Sequence, residues 1–472
     1  MKHFVGRKQE LEYLENAYHN NNAFVMVNGR RRVGKTTLIR HFLKNKKALY
    51  FTAEEEVDLL SRKRMLRDFA DYYGDDNGEN NKIAQWKEIF KTFGLHVQPE
   101  RKILVIDNIG YLIQSNPSFI KALKYAWEHF FKQASVMLII IMPNDSIYVN
   151  LENKKNTLIS VLTLQIKLKP ISFVDLFQDY PHRDFNHLMS LYAITGGVPK
   201  YWEFFKNCEN TMDHMGVIRS DMLNPAGFLF EEPANLLSWD IWEPSYYQSI
   251  LKAIADGLHK PADIAKALGM KQSAVFHGVK NLVTLGYIEG KVSVTDRKTI
   301  TNRRVQYYFL DPMMNFWFAF VFSHRGELEN GRDLEIFENI KRNFPIYIQY
   351  WYKIVCQEIF ATACKNGSIP FKIDRIGELF DKNGEVDIVG VDDRRKRLFL
   401  GDCFYNNRQY TMDMFEDFME ECKVMKELKP YKDYEWVYGA FAGNPFESDL
   451  VDYALISSNI ILFSGVTVYK KG

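Results

Sequence analysis

Apolar residues change their spacing several times along the chain. "RKQELEYLENAYH" sets leucine and aromatic residues at helical intervals, and "KTTLIRHFLK" does the same. Between such segments lie short unbroken apolar runs, "AFVMVNG", "ALYFTA", "KILVIDN" and "SVMLIIIM", rich in β-branched residues and of strand length. Strands without polar alternation, separated by helices, predict a parallel sheet covered on both faces. "TLQIKLKPISFVDLFQDY" closes that sheet and begins a helix, and the pattern stays helical from about 171 to 240. "DYYGDDNGENNK", residues 71–82, is the clearest polar loop.

A different order follows. "YYQSILKAIADG", "KPADIAKALG" and "KQSAVFHGVKNLVTLG" predict three helices with glycine stops. "YIEGKVSVT" and "RRVQYYFL" alternate and predict a hairpin. "DPMMNFWFAFVF" is a very apolar helix whose aromatic stripe belongs to a core. The remainder mixes helices ("YWYKIVCQEIFATAC", "DMFEDFMEECKVMKEL") with strands ("EVDIVGVD", "RLFLGDCFY", "EWVYGAFAG", "IILFSGVTVY").

At 472 residues the chain exceeds one core. The net charge of +2 neither demands nor excludes a nucleic-acid partner, because a basic patch can be local. Five cysteines, Cys208, Cys356, Cys364, Cys403 and Cys422, show no zinc spacing and read as reduced thiols. "MKHFVGRKQELEYL" is a charged helix start, unlike a signal peptide, and no apolar run has membrane-spanning length. A cytoplasmic protein with no membrane contact is expected.

The chemistry starts at "GRRRVGKTT": Gly29, Arg30, Arg31, Arg32, Val33, Gly34, Lys35, Thr36 and Thr37. The pattern G-x-x-x-x-G-K-[ST] lies between a predicted strand and helix, the context that a phosphate loop needs. Its glycines let backbone N–H groups turn toward phosphates, Lys35 reaches the β- and γ-phosphates, and Thr36 ligates Mg²⁺. ATP and Mg²⁺ are therefore the expected ligands. "FVGR", residues 4–7, either flanks the adenine or begins a buried helix. The strand "ILVID" ends in Asp107, placed to hold Mg²⁺ through water, and Asn108 follows. An amide accepts no proton, although it can orient water. Glu54, Glu55 and Glu56 are either a substitute base or a solvated turn, and Asn144 or Asp145 either senses the γ-phosphate or caps a loop.

With "FVGRKQEL", "GRRRVGKTTLI", "ILVIDN", "LKPISF", "YAITGGVPKYW", "LGYIE" and "YYFLDPMMNFWFAFV", the chain resembles the archaeal-type ATPase family, a branch of the AAA+ and STAND P-loop ATPases. The resemblance covers almost the whole chain. It implies an α/β architecture: a P-loop core at 1–170, a helical lid at 171–240, a winged helix-turn-helix at 241–325 and a restriction-endonuclease-like domain at 326–472. Family members usually carry Asp-Glu where Asp107-Asn108 stands, and arginines where this chain has "NTLISVLT", residues 156–163. A missing arginine finger alone lowers phosphoryl transfer about 10³-fold. Slow turnover is expected.

Nuclease-like members read "EIDIV…GECK". Here Asp387 and Asp402 remain, with Glu358 as a third candidate for a vestigial metal site, while Phe404 stands where the lysine would be. No cation replaces it on that strand, so no nuclease activity is expected, although Lys423 and Lys426 on the next helix could migrate in. In the winged helix, Lys271, Gln272, Ser273 and His277 begin the recognition helix, and Arg297, Lys298, Arg303 and Arg304 lie on the wing. The same module also docks proteins. The sequence thus supports an ATP-binding switch with slow hydrolysis, with DNA or a protein as partner and a homo-oligomer compatible with the core. The rivals are an ATP-regulated metal-dependent nuclease and a scaffold with permanently bound nucleotide.

Overall fold

The computed structural model describes residues 4–74, 84–98, 100–142, 158–180, 183–206, 214–241, 243–295, 305–381, 384–406 and 408–472. The chain divides into two units. One comprises Met1–Ile171 with Val198–Lys200 and Thr284–Gly286; the other comprises Ser172–Gly197, Tyr201–Val283 and Tyr287–Gly472.

In the first unit the four apolar runs and the closing segment form strands β1 (Ala23–Asn28), β2 (Leu49–Thr52), β3 (Ile103–Asp107), β4 (Met137–Ile141) and β5 (Leu164–Lys167). They make one sheet in the order β2-β3-β4-β1-β5, every neighbour parallel. Alternate residues serve two cores, as a period of two requires. Phe24, Met26, Leu104, Ile106, Leu138 and Ile140 face one; Val25, Val27, Val105, Ile139 and Ile141 face the other. Helices α1 (Lys8–His19) and α2 (Lys35–Phe42) cover the second core. Helices α3 (Asp58–Tyr73), α4 (Trp86–Leu95), α5 (Ile109–Ser115) and α6 (Phe119–Ala126) cover the first. The expected polar loop is helical over its first residues: α3 runs to Tyr73 and stops at Gly74, whose φ of 71° no helix continues. Residues 75–83 lie outside the described ones.

The second unit opens with helices, Phe173–Asp179 and Phe185–Thr195 first among them. The three expected helices follow at Pro244–Ala255, Pro261–Leu268 and Gln272–Thr284. Antiparallel β6 (Ile288–Lys291) and β7 (Gln306–Phe309) come next. The apolar segment after them is helical and buried, with a π turn at Trp317–Val321. A 33-residue helix, Asp333–Lys365, then leads to a mixed sheet. Its strands are β8 (Arg375–Asp381), β9 (Gly384–Asp392), β10 (Arg397–Phe404), β11 (Glu435–Ala442), β12 (Ile460–Ser464) and β13 (Thr467–Tyr469), in that spatial order. β8, β9 and β10 form an antiparallel meander, and helices Met412–Val424 and Ser448–Ile456 carry the chain to parallel β11 and β12. Among the described residues no helix is long and apolar enough to cross a membrane.

One buried charge ties α4 to the sheet. Lys102, just before β3, donates to the carbonyls of Phe93 at 3.3 Å, Gly94 at 2.6 Å and His96 at 2.8 Å. These carbonyls lie at the end of α4, where no amide of the helix itself remains to meet them. Burial lowers the pKa of the ammonium, so its charge rests on these acceptors. Lys102→Met keeps the stem and strands the carbonyls; it should destabilise the first unit by about 2 kcal/mol. Chemical denaturation tests this, and an unchanged midpoint would show that the carbonyls find water instead.

Candidate functional site

β1 ends at Asn28 and the chain turns sharply at Gly29. The φ of Gly29 is 148°, and a Cβ there would lie 2.4 Å from the carbonyl oxygen of Leu168. Glycine alone fits such an approach. Arg32 and Gly34 also take positive φ, 69° and 96°, and α2 begins at Lys35. Lys35 is buried; its ammonium donates to the carbonyls of Gly29 at 2.6 Å and Arg30 at 2.9 Å, across the mouth of the loop. "FVGR" is stapled to this loop. Arg7 donates to the carbonyl of Val33 at 3.2 Å and of Lys169 at 2.5 Å, while Phe4 stacks on His41 with ring centroids 4.0 Å apart.

Two strands from Gly29, β3 delivers Asp107, which is 3% exposed. Its carboxylate accepts from Thr36 Oγ1 at 2.8 Å, Tyr50 OH at 2.7 Å and the Asn108 amide at 2.8 Å. Thr36 and Asp107 thus meet as the sequence requires. Tyr50, the second residue of β2, was not foreseen, because an aromatic in an apolar strand looks like core. Burial and then Asp107 push its phenol well above the ordinary value, so it stays a donor. Asn108 has φ 55° and ψ 37° and starts α5. This left-handed conformation favours asparagine over most side chains, a backbone reason for the amide that composition does not reveal.

The acidic run is placed too. Arg64 pairs with Glu54 at 3.0 Å and with Glu56 at 2.7 Å, Ser61 also donates to Glu56, and Glu55 is exposed. In "NTLISVLT", Leu158–Val161 form a short 3₁₀ turn with Leu158 buried. Asn144 and Asp145 lie outside the described residues.

In the three-helix segment, Lys271, Gln272, Ser273 and His277 are exposed, while Val275, Gly278 and Val279 face inward. The close seat of this helix explains Gly278: a Cβ there would meet Ile250 Cδ1 at 2.5 Å. Arg297, Lys298, Arg303 and Arg304 lie outside the described residues.

At the C-terminal sheet the β9–β10 ladder ends at Ile388 and Gly401, and the next residues are Asp387 and Asp402. Asp387 Oδ2 accepts from the Cys403 amide at 3.0 Å, and Asp402 Oδ2 from Tyr410 OH at 2.6 Å. Glu358 does not join them. It accepts from the amides of Val174 at 2.7 Å and Phe173 at 3.2 Å, capping the helix Phe173–Asp179. Lys423 pairs with Glu420 on its own helix. The cation that reaches Asp387 is Lys353, with Nζ 2.6 Å from Oδ1 and a second contact to Glu385. The sequence expectation that no lysine serves this place holds only for its own strand and the next helix. Among the described residues, no group of three or more His, Cys, Asp or Glu is arranged to hold a metal ion.

These features define a P-loop nucleotide-site architecture on a five-stranded parallel sheet. Residues 4–204 match an ATPase domain predominantly from Archaea, and residues 317–427 match archaeal and bacterial proteins of unknown function. An uncharacterised ATP-binding protein of Methanocaldococcus jannaschii is 58% identical over 45 residues, 9% of this chain and 76% of that protein. An uncharacterised protein of the same organism is 26% identical over 452 residues, 94% of this chain and 96% of that protein. Solved structures with similarity include a Walker-type ATPase of Pyrococcus abyssi, with TM-score 0.48 and 16% identity over 67% of this chain and 96% of that one. Another is the ORC2 protein of Aeropyrum pernix, with TM-score 0.46 and 14% identity over 72% of this chain and 98% of that one. The chain belongs to the family of archaeal-type P-loop ATPases.

The approach of Gly29 to Leu168 yields a test. Gly29→Ala should weaken binding of a fluorescent ATP analogue by about tenfold or more, since the loop must open to admit the methyl group. Gly74→Ala, with nothing within 4 Å, should leave binding unchanged. Equal affinity of both variants would show that the turn at Gly29 does not shape the site.

Proposed function

We propose that the first unit binds ATP together with Mg²⁺ and works as a nucleotide-dependent switch with slow hydrolysis. One observation carries this reading. A strained glycine loop, a buried lysine, a hydroxyl and a carboxylate meet at one end of the sheet, and the residue after the carboxylate is an amide in left-handed backbone. The donor set fits the ligand. Lys35 would exchange the carbonyls of Gly29 and Arg30 for phosphate oxygens, and Thr36 and Asp107 are the residues to hold a hard cation. A Mg²⁺ held by Thr36 and Asp107 would supply positive charge against the phosphates.

Asn108 would orient water without taking its proton, and two neighbouring glutamates are held by Arg64. Ground-state grip is then intact while transition-state stabilisation is weak. Single-turnover hydrolysis by the wild type should run below about 1 per second. Asn108→Glu should raise kcat with affinity within a few-fold, and Lys35→Ala should abolish binding. Binding by Lys35→Ala would overturn the site. A fast wild type that Asn108→Glu leaves unimproved would overturn slow hydrolysis, and nucleotide that never exchanges would favour the scaffold.

The helix Gln272–Thr284 supports a second role for the same chain. Three helices followed by an antiparallel strand pair support a winged-helix reading, and the exposed Lys271, Gln272, Ser273 and His277 suit phosphate and base-edge contacts. Duplex DNA should therefore bind with strong salt dependence, and Lys271→Glu should weaken it at low salt. Fluorescence anisotropy checks this; no binding at low salt would point to a protein partner.

A further inference from the structure

At the open end of β9 and β10 the acids Asp387, Asp402 and Glu385 each meet a protein donor. Asp387 is held on both oxygens, by Lys353 at 2.6 Å and by the Cys403 amide at 3.0 Å. Asp402 accepts from the Tyr410 hydroxyl, and Glu385 shares Lys353. Gln357, four residues along the helix from Lys353, donates to the carbonyl of Asp387 at 3.2 Å. Glu358, the third acid that a hard cation would need, is turned away to cap another helix. A hard divalent ion wants six or more oxygens, and with Lys353 in place Asp387 has neither oxygen free for it.

Two carboxylates in adjacent strands repel; Asp387 is buried and Asp402 half-buried. Burial pushes Asp387 up to about 7; the Lys353 charge pulls against this and Asp402 reinforces it. Burial opposes the Lys353 charge in turn, but Asp387 and Glu385 outweigh it and raise the ammonium above its ordinary value. The lysine is thus a fixed positive charge acting on both aspartates.

We propose that Lys353 is the resident cation of this fork, standing where a divalent metal would otherwise compensate Asp387 and Asp402. The C-terminal sheet is thereby closed to metal chemistry, and the ion pair instead fixes the long helix Asp333–Lys365 to β9. The resemblance to restriction-endonuclease folds implies a metal at this place; the residues present do not fit it. The proposal is independent of nucleotide binding, which uses the other unit.

Mn²⁺ binding to the full chain, followed by electron paramagnetic resonance at pH 8, tests it. Lys35→Ala and Thr36→Ala are included throughout to silence the phosphate loop. With Lys353 intact, no bound Mn²⁺ should depend on Asp387. Lys353→Met should gain one Mn²⁺ site that adding Asp387→Asn removes, and Lys353→Arg, which keeps the charge, should gain none. Mn²⁺ bound with Lys353 intact and lost in Asp387→Asn would overturn the proposal. So would a folded Lys353→Met that binds no Mn²⁺. If Lys353→Met does not fold, the neutral pair Lys353→Met with Asp387→Asn should recover a melting transition near that of the parent, because removing both charges leaves none buried alone. Failure of that recovery would also overturn it.

Discussion

The carboxylate of Asp107 is the point on which the first unit turns. A buried carboxylate is tolerated only where donors replace its water, and here the donors come from three separate places. Thr36 stands in the first turn of α2, Tyr50 within β2, and the backbone amide of Asn108 at the start of α5. One side chain therefore fixes the phosphate loop, the edge strand and the following helix in mutual register. The parallel sheet makes this possible. β3 lies between β2 and β4, with β1 beyond β4, so strand ends that are distant in sequence open on one edge.

The sequence showed the site's backbone well and its support poorly, for a physical reason. The phosphate loop is local: glycine, lysine and threonine must fall at fixed spacing for backbone amides to turn inward, so the spacing itself carries the chemistry. The central strands β1, β3 and β4 were equally legible, because burial on both faces demands uninterrupted apolar runs. Tyr50 was not, since a phenol within "ALYFTA" has the same spelling whether its hydroxyl meets carboxylate or water. Arg7 and Arg64 were hidden for the same reason. Their roles depend on which carbonyl or acid a long side chain reaches in space.

The C-terminal sheet shows the limit more sharply. The strand pattern around Asp387 and Asp402 was readable, and both acids do come to one fork. The lysine was sought on the strand and on the helix that follows, where spacing would put it. It is supplied by the preceding helix, at Lys353, five positions before the glutamate that was expected to serve there. Helical geometry explains the exchange. Residues five apart are rotated by more than a full turn, so Lys353 and Glu358 project in different directions. One reaches β9 and the other the amides of Phe173 and Val174. A linear pattern cannot say which of two charged residues on a helix faces a given strand.

The two acidic centres of this chain also differ in a way that bears on function. The donors to Asp107 are two hydroxyls and an amide, none of them charged. They satisfy its hydrogen bonds without bringing a formal charge, and a hydroxyl can rotate to become a ligand itself. Asp387 has an ammonium at 2.6 Å, which satisfies both geometry and charge. A cation approaching the first centre gains Coulomb energy at the expense of one neutral hydrogen bond. A cation approaching the second must displace a like charge from a buried pair, whose broken partner would then stand alone in a poorly solvated place. The same residue type thus meets neutral donors in one unit and a charged one in the other, and the difference lies in the formal charge of the donor.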